Sequence, residues 1–463
     1  MSDVSDSRPE KGVVTTAAPS ATAVAYVAPG PIEASPPPRG QTGPIRWVRE
    51  NLFPDALNTA LTVLSILFLV WIVPSLWQWA VGYAVWNAES LTECREIIDT
   101  AFGEDAHGAC WAVVRERFNQ FMFGFYPDVL YWRPILAAVL LAVALAPVLF
   151  TGVPARRELL VFTAVYPVIA YYLLWGGSIW PFVTFLAGPA LAVAGFLKII
   201  RVDHPVIGTP GVAIAGGVLA AFLYLNLLWG PITEGIHSVV GTLGPQSVGS
   251  DQFGGFLLTL IIGVTALAAS LPLGIVLALG RQSSLIFIKM VSVIIIEFIR
   301  GVPLITLLFV ASTLLNYFLP PGSSFDIILR VIIMATLFAA AYIAEAIRGG
   351  LASLPKGQYE AADAMGLTYW QSMRLIILPQ ALKISIPGIV NVAVGLFKDT
   401  TLVSIIAMFD LVGMIRGPIL ASTEWNGVYW ELFGAAAALF FVVCYGISQY
   451  SQWLERQLQT DHR

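Results

Sequence analysis

The amino-acid sequence predicts an all-α polytopic membrane protein with about ten transmembrane helices. Three observations carry this. Hydrophobic residues make up 57% of the 463 and charged residues only 12%, whereas an ordinary globular chain is about a quarter charged. The apolar residues fall in runs of roughly 20, long enough for a helix to cross a hydrocarbon core about 30 Å thick, and they lack the period-2 alternation of a barrel strand. Lys and Arg then concentrate in alternate loops, as the positive-inside rule requires.

Taken in order, residues 1–45 are rich in Ala, Pro, Ser, Thr and Gly and read as a disordered tail. No basic stretch precedes a continuous apolar core here, so no cleaved signal peptide is expected. Five spans follow at 56–78, 134–151, 158–176, 179–198 and 211–229, within a membrane extension over 46–250. Between 158 and 198 only "WGGSIWP" separates two runs, which leaves two spans or a single re-entrant element open. Five more spans are expected at 253–280, 288–316, 325–347, 384–407 and 430–453, within a unit 251–455 that ends in a short tail, 456–463.

With the N-terminus inside, the inside loops hold Arg156 and Arg157, Lys198 and Arg201, Arg281 and Lys289, then Arg348, Lys356, Arg374 and Lys383. The outside segments 230–252 and 317–324 hold no Lys or Arg, and 411–429 holds only Arg416. The long outside loop 87–133 is the exception, but Glu93, Glu96, Asp99, Glu104, Asp105 and Glu116 offset its Arg95, Arg115, Arg117 and Arg133. Ten spans place both termini in the cytoplasm.

Cys94 and Cys110 share that outside loop, where an oxidising compartment permits a disulfide; two free thiols are the alternative. Cys444 falls in the last span and reads as packing. Four His, none spaced as a ligand pair with another or with these Cys, give no metal site. The sequence holds no G-x-S-x-G, H-E-x-x-H or C-x-x-C. Its six lysines precede Gly12, Ile199, Met290, Gly357, Ile384 and Asp399, so no phosphate-binding G-x-x-x-x-G-K-[ST] is present. The chain is not expected to be an enzyme or to bind a cofactor, and if ATP drives it, a partner binds the ATP.

The most polar interruption is "GQYEAADAMGLTYWQSMRLIILPQ", residues 357–380. "YEAADAM" is a helix former with Glu360 early, where an acid suits the helix dipole, and Gly366 is placed for the left-handed stop. Thr368 then caps a second helix with Gln371 as capping-box partner, and Pro379 ends or bends it. The small residues Ala361, Ala362 and Ala364 allow close approach by another protein. An amphipathic loop on the lipid surface is the competing reading.

Glu360-Ala361-Ala362, Gly366, Ile376 and Leu378-Pro379 together resemble the EAA loop of ABC importer permeases. The stretches "EFIRGVPLITLLF", "AYIAEAIRGGLASLPKGQYEAADAMG", "LPQALKISIPGIVN" and "LFKDTTLVSII" look like the polar amino acid uptake branch of that family. The resemblance covers about residues 253–453. It implies a five-helix type I permease core, with Glu360, Ala361, Ala362, Gly366 and Pro379 in a cytoplasmic coupling loop (349–383) that docks on a separate ATPase. The added N-terminal helices resemble the large subunits of general L-amino acid permeases of Gram-negative bacteria. Those handle glutamate, glutamine, aspartate and asparagine. The implied partners are an ABC ATPase dimer that uses ATP and Mg, a second homologous permease subunit in a heterodimer and a periplasmic amino acid binding protein, all at the bacterial inner membrane. No nucleic acid is involved.

Charges inside spans usually face a cavity or a partner. Glu297 and Arg300 share a helix face, with Gly301 and Pro303 following where a helix weakens; Lys398 and Asp399 fall mid-span. They offer a cation for a substrate carboxylate and an acid for its ammonium group, or they neutralise neighbouring helices. Glu345 and Arg348, at a cytoplasmic helix end, read as structural or coupling residues. Ala266, Ser270, Gly274 and Ala278 recur every four residues, a stripe suited to tight helix packing. Two other classes compete with the importer. An ion-coupled secondary transporter would carry internal repeats, and none is evident; a membrane scaffold leaves the spacing in 357–380 unexplained.

Overall fold

The computed structural model describes residues 43–200, 210–241, 243–314, 317 and 326–458. The tail read over 1–45 lies outside these apart from its last three residues, as do Arg201, most of 317–324 and residues 459–463. The chain divides into two compact units, 1–77 and 78–463.

In the first unit, α1 (Pro44–Leu52) carries an Arg46–Glu50 ion pair one turn apart. Asp55 then accepts the Asn58 backbone N–H at 2.8 Å, closing the start of α2 (Ala56–Trp77). This helix is apolar along its length, as a helix surrounded by lipid must be.

The second unit opens with a π-helical stretch, Gln78–Gly82. Three short helices follow, α3 (Leu91–Phe102), α4 (Ala112–Glu116) and α5 (Phe118–Phe123). The extension then runs through α6 (Trp132–Leu149), α7 (Arg156–Leu174), α8 (Trp180–Ile200), α9 (Pro210–Leu223) and α10 (Trp229–Val240). The rest comprises α11 (Gly255–Arg281), α12 (Ile286–Gly301), α13 (Leu304–Phe309), α14 (Ile327–Ala352), α15 (Lys356–Ala364), α16 (Tyr369–Ser372), α17 (Leu378–Asp399), α18 (Leu411–Met414) and α19 (Tyr429–Leu458).

Among the described residues, eight helices are long and apolar enough to cross a membrane, or nine with one bent pair counted as a span. Two of the ten expected spans therefore differ. The run 288–316 is not one straight helix: α12 and α13 meet at 104°. Val302 is extended (φ −109°, ψ 131°), as a residue before proline prefers, and Pro303 has no N–H with which to continue the helix. The run 211–229 is covered by α9, a helix of only 14 residues that gives way after Leu223 to a π-helical stretch, Tyr224–Leu228. Between 158 and 198 the chain forms two helices, α7 and α8.

The central contact is between α11 and α14, which run parallel. Leu258, Ile262 and Ala266 cluster with Ile328, Val331 and Ala335 at one end. Leu277 and Ala278 cluster with Ala344, Ile347 and Leu351 at the other. The Ala266, Ser270, Gly274, Ala278 stripe is buried in this contact; a methyl on Gly274 would come within 2.7 Å of Ile343 Cγ2. Small residues replace the hydrophobic driving force that lipid does not supply. From its far side α14 meets α17, where Ser385 Oγ donates to the Ala346 carbonyl at 3.1 Å.

Residues 83–131 form a cap over the end of the bundle that carries the N-termini of α11 and α14. Cys94 and Cys110 are joined by a disulfide, and both lie in one core with Phe256, Leu411, Met414, Trp425 and Leu432. Arg117 pairs with Glu424, and Leu91 N–H donates to the Glu424 carbonyl at 2.9 Å. Gly124, at φ +68°, lies so close to Gly254 that a Cβ would meet its Cα at 2.3 Å. The long loop of the extension is thus packed into the C-terminal half. The bridge closes a loop with a sequence separation of 16, for which denatured-state entropy predicts about 3 kcal/mol. Replacing both cysteines with serine is therefore expected to speed hydrogen exchange across 83–131 by about a hundredfold; unchanged exchange would refute that role.

Candidate functional site

Two charged or polar regions stand out at the end of α14 away from the cap. The first is the segment joining α14 to α17. Helix α15 begins at Lys356, so Glu360 is its fifth residue rather than an early one. Glu360 and Ala361 are exposed, while Ala362 is fully buried. The three alanines are therefore not one exposed face, because Ala362 is turned inward. Tyr359 packs in the same cluster as Leu351, Leu354, Met373 and Ile377, and Gln380 Nε2 donates to Gln358 Oε1 at 3.1 Å.

Gly366 adopts φ +71° and lets Leu367 N–H reach the Ala362 carbonyl at 3.2 Å, a glycine helix stop. Thr368 and Gln371 form the expected capping box, with Thr368 N–H donating to Gln371 Oε1 at 2.9 Å. Pro379 does not end the second helix. A π-helical stretch, Met373–Ile377, leads directly into α17, and the helix is continuous over Tyr369–Ile406. The wider turn displaces the carbonyl that Pro379 cannot satisfy, and so absorbs the proline. The result is a short exposed helix attached to two long ones. Met365 and Trp370 flank it with 74% and 70% exposure, an apolar surface suited to a protein partner.

The second region is a charge cluster joining α11, α12 and α14. Glu345 is at its centre. Arg348 Nη2 and Nε donate to Glu345 Oε1 at 2.6 and 2.9 Å. Arg281 Nη1 approaches Glu345 Oε2 at 3.4 Å and Glu297 Oε1 at 2.7 Å. Arg300 Nη1 lies 3.6 Å from Glu345 Oε2. Glu297 and Arg300 thus share a helix face without pairing with each other: each reaches across to a neighbouring helix.

Of the three guanidiniums, Arg300 is the least committed. Its ion pair is longer than a hydrogen bond, its buried Nε has no partner, and its plane sits over the Tyr342 ring at 5.6 Å. Such a group is open to a carboxylate in the two-pronged geometry that arginine favours. In the sequence Arg281 reads as a loop charge and Glu345 as a helix-end residue. The signal was the four-residue turn 282–285, which folds Arg281 back onto α12. Lys398 and Asp399 stand apart: no described hydrogen bond or ion pair links their side chains to this cluster.

At the cap end, Asp410 is fully buried and caps α18, accepting Gly413 N–H at 2.9 Å and Val412 N–H at 3.2 Å. Burial pushes its carboxyl up to about 6, against the opposing pull of these backbone donors. A raised acid favours its protonated form in the fold. Its stabilisation is present below the ordinary carboxylate range and is lost as pH rises through about 6. Ionised at pH 7, it costs the fold on the order of 3 kcal/mol. Asp410→Asn keeps an acceptor for the Gly413 N–H without the charge, giving up the longer bond from Val412. Thermal unfolding at pH 7 and pH 5 is expected to show the wild type gaining on this variant at the lower pH, and parallel profiles would contradict it.

Residues 270–458 match the family model described as the binding-protein-dependent transport system inner membrane component. A glutamate/glutamine/aspartate/asparagine transport system permease protein of Rhodobacter capsulatus is 56% identical over 428 residues, 92% of this chain and 96% of that one. An inner membrane amino-acid ABC transporter permease protein of Escherichia coli K12 is 36% identical over 89% of this chain and 93% of its own length. A probable glutamine ABC transporter permease protein of Bacillus subtilis is 34% identical over 45% of this chain, yet over 93% of its own length. The longer relatives match both halves of the chain; the shorter one has room for less than half.

Proposed function

This chain belongs to the family of binding-protein-dependent transport system inner membrane components, and we propose that it is the permease subunit that passes glutamate, glutamine, aspartate and asparagine through an ATP-driven importer. Permeases of this kind are multi-pass inner-membrane transporters, not enzymes, and work with an ATPase and a binding protein. The observation that supports the reading best is the mechanical link at 356–380. An exposed helix, α15, is tied to α17 by the Gln358–Gln380 hydrogen bond and packs Tyr359 into the apolar cluster that holds Leu351 of α14. A push on Glu360 and Ala361 is therefore transmitted along both, while Gly366 and Pro379 hold the angle between α15 and α17.

In this reading the ATPase dimer binds ATP and Mg and docks on α15. A second, homologous permease subunit completes the pathway as a heterodimer. The binding protein delivers substrate at the cap end, and both termini of the chain lie in the cytoplasm. Glu297, Arg300, Lys398 and Asp399 are the pathway residues, with Arg300 as the carboxylate-binding group. The test is uptake of labelled L-glutamate and L-glutamine into proteoliposomes holding the complete complex. Uptake should require internal or external ATP on the ATPase side and the binding protein on the other. Uptake driven by an ion gradient without any ATPase would sink the reading.

A further inference from the structure

The coupling segment and the charge cluster both lie away from the cap, and neither explains a cavity at the cap itself. It has a volume of about 340 Å³ and lies along the seam between α3, the segment 104–110 and the start of α19. Its floor is apolar, with Leu91 and Ile98, and Glu431 of α19 forms part of its wall. Glu431 is 7% exposed. Its Oε1 accepts the Cys110 N–H at 3.0 Å, which ties the disulfide to α19. No described group donates to its Oε2. A carboxylate on a cavity wall with one oxygen uncommitted favours a cationic donor.

The opposite charge stands across the seam. Arg95 lies against Gly427, where an added Cβ would meet Arg95 Nη2 at 3.7 Å. The cavity therefore offers a carboxylate oxygen and a guanidinium over an apolar floor, within the size range of small-molecule sites, about 300–1,000 Å³. That polarity matches a zwitterion. With Arg95 and His107 set against Asp99, Glu104 and Glu431, the lining is rich in acids and disfavours a second carboxylate on the ligand.

We propose that this cavity binds a free L-α-amino acid with an uncharged side chain, its ammonium group on Glu431 and its carboxylate on Arg95. The bound molecule fastens the cap to α19, the long helix that crosses to the opposite end of the bundle. Its identity as an amino acid rests on the transport reading above; the polarity of the ligand does not.

The experiment uses the complete permease–ATPase complex in lipid nanodiscs, without the binding protein, titrated with radiolabelled L-glutamine. Saturable binding is expected, weaker for L-glutamate. It should fall at least tenfold in Glu431→Gln, which keeps an acceptor for Cys110, and in Arg95→Gln, whose position is exposed and tolerant of change. It should persist in Arg300→Ala, which separates this site from the pathway. Absent binding, or binding indifferent to both cavity variants, overturns the proposal. So does loss of binding-protein capture by these variants without any glutamine binding, since a basic side chain of that protein would then be the occupant. ATP-driven uptake by the same complex moved into proteoliposomes, with the binding protein supplied, keeps the two readings apart: uptake without cavity binding removes this inference alone, whereas cavity binding without uptake removes the transport reading.

Discussion

Arg300→Ala is expected to abolish substrate-stimulated ATP hydrolysis by the reconstituted complex while leaving the complex assembled. The argument turns on how little Arg300 contributes to the fold. Its pair with Glu345 spans 3.6 Å between side chains 31% and 23% exposed, and a partly exposed pair of that length is worth no more than about 1 kcal/mol. Glu345 keeps Arg348 and Arg281 when Arg300 is removed, so no carboxylate is stranded. The substrate carboxylate, by contrast, loses the guanidinium with free donor capacity, and a charge-assisted, two-pronged contact has no substitute nearby. Arg300→Lys should restore part of the stimulation, because it returns the charge without the planar fork. Co-purification and ATP turnover with and without loaded binding protein read both effects. Full transport by Arg300→Ala would exclude the pathway role.

Glu345 is the useful contrast. Sequence position put it at a helix end, near solvent, and gave no hint that three arginines converge on it. Its removal leaves them with only Glu297, so Glu345→Ala should weaken assembly before it affects turnover. Ion pairs between helices depend on distances that a single sequence does not encode. What the sequence does encode is local. The apolar runs located most of the spans because lipid imposes one length and one polarity on any helix that crosses it. The capping box at Thr368 and Gln371 and the stop at Gly366 were legible because their geometry is set within a few residues.

The departures from the expected helices share a cause. Pro303 and Pro379 look alike in sequence, each in an apolar stretch, yet one bends its helix by 104° and the other is absorbed by a π-helical turn. The neighbours decide which. Val302 adopts the extended backbone that precedes a free-standing proline, while Ile377, fully buried against α14, holds the chain ahead of Pro379 in helical form. The cap was illegible for a related reason. A 47-residue loop between spans reads as surface, and nothing local says that Cys110 will meet Glu431, 321 residues further on.

Gly366→Val is expected to keep every membrane helix and lose coupling to the ATPase. Nothing lies within 4 Å of a Cβ at this position, so a side chain meets no steric obstacle and the whole effect comes from the backbone. At φ +71° an ordinary L-residue costs about 1–2 kcal/mol, and a β-branched one is a clear outlier. Valine relieves the strain by leaving the left-handed region. Leu367 N–H then loses the Ala362 carbonyl, and the Thr368 capping box starts α16 in a new direction. Helix α15 stays on the bundle through Tyr359 and the Gln358–Gln380 hydrogen bond, but its exposed face no longer presents Glu360 and Ala361 at the angle set by α17. A penalty of about 2 kcal/mol lowers the docking-competent population roughly thirtyfold. Asparagine tolerates left-handed backbone, so Gly366→Asn should retain most of the substrate-stimulated hydrolysis that Gly366→Val loses. If valine and asparagine behave alike, the turn is not what couples α15 to the membrane helices, and the mechanical reading of this segment fails.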